Sequence, residues 1–155
     1  MNCVRFAPEW RLSFRLHVKA HMPHARRSRR LVLVVDDDAG LRDSIRALLE
    51  SMGFLVSTAA NALEAIVEVG AQRPDVILTD IYMPQGDGFE LISAMRSFGE
   101  AIPIVAMSGG ALQYGVDDHL GMAKRLGAEA TLCKPFRAAA LVETVDRAIG
   151  HRLVA

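Results

Sequence analysis

Residues 31–38 read Leu31-Val32-Leu33-Val34-Val35-Asp36-Asp37-Asp38, five aliphatic side chains followed at once by three carboxylates. A strand with one wet face alternates apolar and polar residues. An unbroken run rich in β-branched side chains instead suits a strand covered on both faces, as in a parallel sheet. The switch to acids marks where that strand surfaces.

The following residues repeat the pattern. Leu41, Ile45, Leu48, Leu49 and Met52 fall on one helical face, and Gly53 supplies a C-terminal stop. Phe54–Thr58 reads as a second strand. Asn61 with Glu64 is a capping pair ahead of a helix over Ala62–Val69. Asp75–Thr79 is a third strand, Phe89–Phe98 a helix and Ile102–Met107 a fourth strand. A helix over Val116–Leu126 ends at Gly127, Glu129–Leu132 is a fifth strand, and a last helix carries Leu141, Val142, Val145 and Ile149 on one face. Parallel strands need crossover helices, and crossovers are right-handed. The expected fold is α/β: a doubly wound five-stranded parallel sheet with helices on both faces.

Composition agrees and excludes other classes. A chain of 155 residues, 51% hydrophobic and 23% charged, fills one core but not two full domains. No apolar run reaches the roughly 18 residues of a spanning helix. Two cysteines, Cys3 and Cys133, make no disulfide framework, so a reducing, cytoplasmic location is expected. The formal net charge of zero hides an asymmetry. Residues 1–30 hold eight Arg/Lys and one acid, a net +7, so residues 31–155 carry −7. The domain boundaries expected are a basic, disordered tail over 1–30, the folded domain over 31–150 and a short tail over 151–155. His17, His21 and His24 in the basic tail lack the partners of a metal site. Trp10 and Phe14 read as exposed tail residues.

In an open parallel sheet, ligands bind beyond the carboxyl ends of the strands, where the strand order switches. Asp36, Asp37 and Asp38 follow the first strand, Asp80 the third, Ser108 the fourth and Lys134 the fifth. Asp80 and Ser108 are 28 residues apart and Ser108 and Lys134 are 26 apart, so only the fold brings them together. Carboxylates gathered in one pocket resist ionising together, and a hard divalent cation with oxygen ligands, such as Mg2+, relieves the repulsion. A cation, an ammonium and a hydroxyl around one carboxylate suit phosphoryl transfer to that carboxylate.

These segments resemble a known family. Val34-Val35-Asp36-Asp37-Asp38, Leu78-Thr79-Asp80-Ile81-Tyr82-Met83-Pro84, Gly86-Asp87-Gly88, Ser108 and Lys134-Pro135-Phe136 together look like the receiver domain of bacterial two-component response regulators, over roughly residues 31–150. The resemblance implies a flavodoxin-like strand order 2-1-3-4-5. It implies Asp80 as phosphoacceptor, supplied by a histidine kinase or histidine phosphotransfer protein. Asp37, Asp80 and the backbone carbonyl of Tyr82 would ligate Mg2+, with Asp36 acting through a water on the metal. Ser108 would hydrogen-bond the phosphoryl oxygens, Lys134 would pair with them, and the bond from Lys134 to Pro135 would be cis. The expected role is a stand-alone receiver, a signalling switch catalysing only its own phosphorylation and slow dephosphorylation. Its output would run through an unidentified partner protein or a phosphorelay. No nucleic acid or membrane partner is expected for the domain, and it would be a monomer or a weak homodimer.

The sequence departs from the family pattern in places. Thr131 stands where an aromatic residue often reports phosphorylation. Gly109 and Gly110 open a long stretch to Lys134 and predict a mobile loop. A bulky Tyr82 is expected to restrict attacking water and slow self-dephosphorylation. Plainer readings cover other residues: Asp38 as a helix cap, Cys133 as a small core residue, Met95, Met107 and Met122 as packing, and Tyr114, Asp117, Asp118 and His119 as a solvated loop and helix start. The rival functions are an interaction-only pseudo-receiver, a small phosphohydrolase with Asp80 as nucleophile, and nucleic-acid binding through the basic tail.

Overall fold

A computed structural model describes residues 29–109 and 116–152, without the side chains of 116–118 and 151–152. The basic tail through residue 28, with its histidines and aromatics, lies outside the described residues, as do Gly110, Tyr114, the side chains of Asp117 and Asp118, and residues 153–155.

Five strands alternate with five helices among the described residues. They are β1 (Leu31–Val35), α1 (Ala39–Ser51), β2 (Leu55–Ala59), α2 (Ala62–Gln72), β3 (Val76–Asp80), α3 (Gly88–Ser97), β4 (Ile104–Gly109), α4 (Val116–Arg125), β5 (Ala130–Lys134) and α5 (Ala138–Arg152). All neighbouring strands pair in parallel, in the order β2-β1-β3-β4-β5. No helix of the described residues is long and apolar enough to cross a membrane.

The alternation of side chains along each strand sorts the core into two layers. Leu33, Val35, Ile77, Ile104 and Ala106 pack with Ile66 and Val69 of α2, Leu91, Ile92 and Met95 of α3, and Ala123 of α4. Val32, Val34, Val76, Leu78, Val105 and Met107 pack on the opposite face with Ile45 and Leu49 of α1 and Leu141, Val145 and Ile149 of α5. Every residue of β1 is buried, which explains why its sequence shows no polar alternation. Each fully buried Val, Leu or Ile contributes about 1.5–3 kcal/mol relative to exposure.

Local signals set the element ends. Asp38 caps α1 by accepting from the Leu41 amide at 3.1 Å. Asn61 caps α2 by accepting from the Glu64 amide at 2.9 Å, while the Glu64 carboxylate accepts from the Ala60 amide at 2.8 Å. Strand ends differ from expectation in one instructive way. Asp80 and Lys134 are the last residues of β3 and β5, and Ser108 lies within β4, rather than beyond the strands. The backbone ladder runs on through Asp80↔Met107, Ser108↔Cys133 and Gly109↔Lys134 because pairing involves main-chain groups and ignores side-chain polarity. Two expected core residues also differ. Cys133 is exposed, since alternation turns it away from its buried neighbour Leu132, and Met122 of α4 is 43% exposed.

Candidate functional site

The order β2-β1-β3 means the chain leaves β1 in one direction and returns on its other side. The crevice at that reversal opens between the carboxyl ends of β1 and β3. Asp36 follows β1 directly and Asp80 closes β3, so strand spacing of about 4.8 Å makes them neighbours. Both are buried, at 1% and 6% exposure, whereas Asp37 is exposed. One carboxylate oxygen from each of Asp36, Asp37 and Asp80 lies within 4.8 Å of the other two.

Lys134 sits two strands from Asp80, and its long stem spans the gap. A Cβ built on Gly109 would stand 3.9 Å from Lys134 Cδ, so the stem runs past the small residues ending β4. Lys134 Nζ donates to Asp36 Oδ2 at 2.7 Å and pairs with Asp80 Oδ1 at 2.8 Å. The other Asp36 oxygen accepts from the Asp38 amide at 2.9 Å. The Asp36 carbonyl accepts from the Arg42 guanidinium, which ties the first turns of α1 to the pocket. Ser108, at 2% exposure, lies on β4 between the two charged strand ends.

The electrostatics follow from this geometry. Burial pushes the Asp80 carboxyl above its ordinary value; the Lys134 ammonium opposes that shift, and Asp36 and Asp37 add to it. Burial alone would lower Lys134, but the hydrogen bonds and charges of Asp36 and Asp80 outweigh it and hold the ammonium above its ordinary value. The site therefore joins a desolvated carboxylate of raised basicity to a secure ammonium. Its three-carboxylate donor set is hard oxygen, which fits a hard divalent cation and not a soft one.

The chain leaving β3 is folded tightly over the site. The Ile81 amide donates to the Met107 carbonyl at 2.9 Å, and the Gly88 amide donates to the Ile81 carbonyl at 2.8 Å. A Cβ on Gly88 would stand 2.3 Å from the Asp80 carbonyl oxygen, so only glycine admits this approach. Asp87 caps α3 by accepting from the Glu90 amide at 2.8 Å. Gly86-Asp87-Gly88 is thus more than a turn: it seats the start of α3 against the backbone of Asp80. The Lys134–Pro135 bond is cis.

The structure gathers Asp36, Asp37 and Asp80 with Lys134, places Ser108 on the adjoining β4 one residue past Met107, the partner of Asp80, and leaves Tyr82, two residues beyond Asp80, 46% exposed. Two arrangements were not legible from the sequence. His119, expected in a solvated segment, packs edge-on against Tyr82, ring centroids 5.2 Å apart at 74°, and lies 6.5 Å from Phe89. Arg96 of α3 donates to the carbonyls of Glu100, Ile102 and Gly127 at 2.6–3.3 Å, stapling two loops at the opposite end of the sheet. No spacing rule marks the His119 contacts or the reach of Arg96 to Gly127, because each joins segments distant in sequence.

Comparison with known proteins points the same way. The family model described as the response regulator receiver domain matches residues 32–146. An uncharacterized 14.6 kDa protein of Leptolyngbya boryana is 36% identical over 118 residues, covering 75% of this chain and 87% of that protein. The transcriptional regulatory protein PrrA of Mycobacterium leprae is 37% identical over 121 residues, covering 78% of this chain. The aligned segment spans 50% of PrrA, so the match there is to part of a longer protein. The crystal structure of the receiver domain of NtrX from Brucella abortus superimposes with a TM-score of 0.71 at 29% identity, covering 77% of this chain and 98% of that one. CheY4 of Vibrio cholerae gives 0.70 at 31% identity, covering 78% and 99%. The chain belongs to the response regulator receiver domains, the family of phosphorylation-based signalling modules that bind Mg2+ in an acidic pocket and work with histidine kinases and output domains.

Proposed function

We propose that Asp80 accepts a phosphoryl group from a histidine kinase or a histidine phosphotransfer protein, and that the phosphorylated domain signals by binding an output partner or by passing the group along a relay. The observation carrying this reading is the Lys134 ammonium held 2.7 and 2.8 Å from Asp36 and Asp80 at the carboxyl ends of the strands. An Asp80 carboxylate oxygen attacks phosphorus, the bond from phosphorus to the donor imidazole nitrogen breaks, and that nitrogen keeps the electron pair. Burial, by raising the basicity of Asp80, favours bond formation at its oxygen. Lys134 shifts from neutralising two carboxylates to pairing with phosphoryl oxygens, and the Ser108 hydroxyl donates to another. Asp37, Asp80 and the Tyr82 carbonyl would hold Mg2+, with Asp36 supporting through water; bound there, the ion supplies positive charge that offsets the phosphoryl oxygens.

On this reading the domain acts as a switch rather than a turnover enzyme, with slow return to the free carboxylate as its further chemistry. Phosphorylation replaces one carboxylate charge by a larger one and draws Ser108 and Lys134 toward it, biasing the segments after β4 and β5. Intact-mass measurement after incubation with acetyl phosphate and Mg2+ tests the proposal. One added phosphate on the wild-type protein is expected, absent with EDTA and absent in Asp80→Asn. No adduct under conditions that label a known receiver, or equal labelling of Asp80→Asn, overturns it.

A further inference from the structure

Asp80 is the end of β3, and two residues later Tyr82 projects half-exposed from the loop that follows. Its ring does not stand alone. His119 of α4 meets it edge to face at 5.2 Å and 74°, the geometry favoured by aromatic quadrupoles. On its other side His119 tilts against Phe89, 6.5 Å away at 35°. Phe89 lies in the first turn of α3 and packs on the core layer beneath, as does Leu120, the next residue along α4. One imidazole thus joins three segments: the loop after Asp80, the start of α3 and α4.

Resting on the reading of Asp80 as phosphoacceptor, we propose that His119 is a positioning residue which holds Tyr82 beside the mouth of the Asp80 pocket, so that α4 sets how fast water removes the phosphoryl group. In that reaction the oxygen of water bonds to phosphorus and the bond from phosphorus to the Asp80 oxygen breaks. The electron pair returns to the carboxylate, and the protons of water leave with phosphate or to solvent. A phenol fixed at the mouth narrows the approach of the attacking water; a phenol free to swing away does not.

The test follows decay of the phosphorylated protein by intact mass, after labelling with acetyl phosphate and Mg2+ and removal of the donor. His119→Ala and Tyr82→Ala are each expected to shorten the half-life by about 2–10-fold, the range set by one aromatic pair. The double variant should decay no faster than Tyr82→Ala, because His119 acts only through Tyr82. His119→Phe, which keeps an aromatic partner, should restore a half-life within about twofold of wild type. Met122→Ala, on the exposed side of α4, should leave it unchanged. An unaltered half-life in His119→Ala, or effects that multiply in the double variant, overturns the inference alone. A wild-type protein that takes no label overturns the acceptor reading and this inference with it. Tyr82 is exposed enough for its loss to spare the fold, so the Tyr82→Ala arm stands even where His119→Ala unfolds: an unchanged half-life there also overturns the proposal.

Discussion

Replacing Lys134 by methionine should destabilise the protein in a way that grows with pH. Methionine keeps an unbranched stem running past Gly109 but removes the only cation paired with both buried carboxylates among the described residues. Asp36 and Asp80 present oxygens within 4.8 Å of each other, a repulsion of roughly 3.5 kcal/mol at an effective dielectric constant near 20. The protein can escape by keeping one carboxyl protonated. From an ordinary value of 3.8, that costs about 1.36 kcal/mol per pH unit, so the penalty is capped near 4.4 kcal/mol at pH 7 and near 1.6 kcal/mol at pH 5. The expected loss is therefore about 3 kcal/mol at pH 7, within the range for removing one partner of a buried pair. The sign is fixed by linkage. In the variant the folded carboxyl holds its proton more tightly than the unfolded one, so the variant's relative stability is greatest at low pH and is lost as pH rises. Urea unfolding in EDTA reads this as a midpoint lowered by about 1.5 M at pH 7, for a slope near 2 kcal/mol per molar, and by at most half that at pH 5. A difference below about 0.5 kcal/mol at pH 7, or one equal at the two pH values, would refute the assignment of Lys134 as the counter-charge.

Gly88→Ala should cost about 2–4 kcal/mol in chemical denaturation, since its Cβ would enter the Asp80 carbonyl at 2.3 Å; Gly150→Ala, in α5 with nothing within 4 Å among the described residues, should instead gain about 0.5–1 kcal/mol, and equal effects would show that steric closeness is not the cause. Ser57→Ala should raise the thermal midpoint by about 2–4 °C, because the Ser57 hydroxyl is buried in β2 without a hydrogen-bond partner among the described residues; a fall in the midpoint would mean that the hydroxyl is bonded after all. Arg96→Met should cost about 2–4 kcal/mol by stripping donors from the Glu100, Ile102 and Gly127 carbonyls, and hydrogen exchange should rise first in the loops before β4 and before β5; a uniform rise would argue against a local staple.

Much of the fold was legible because its signals are local. The run 31–35 announced a strand buried on both faces, and all five of its residues are buried. Asn61 and Glu64 announced a cap that the structure contains in both directions. Cys133 and Met122 misled because hydrophobic character predicts which residues prefer the interior, not which face of a particular strand or helix is covered. His119 was unreadable for a related reason: its partners, Tyr82 and Phe89, lie more than two dozen residues earlier in the chain.

The sequence by itself determined the alternation of strand and helix, the parallel sheet and the types of residue that end each strand, because periodicity and capping act over a few residues. It also carried the identities of Asp36, Asp37, Asp80, Ser108 and Lys134. Only the tertiary structure decided that Lys134 bridges two carboxylates rather than standing in solvent, that Gly88 lies against the Asp80 backbone, and that α4 touches the acceptor loop through one imidazole. Those contacts join segments separated by up to 98 residues, and the register of the sheet with the crossovers between its strands is what sets their distances.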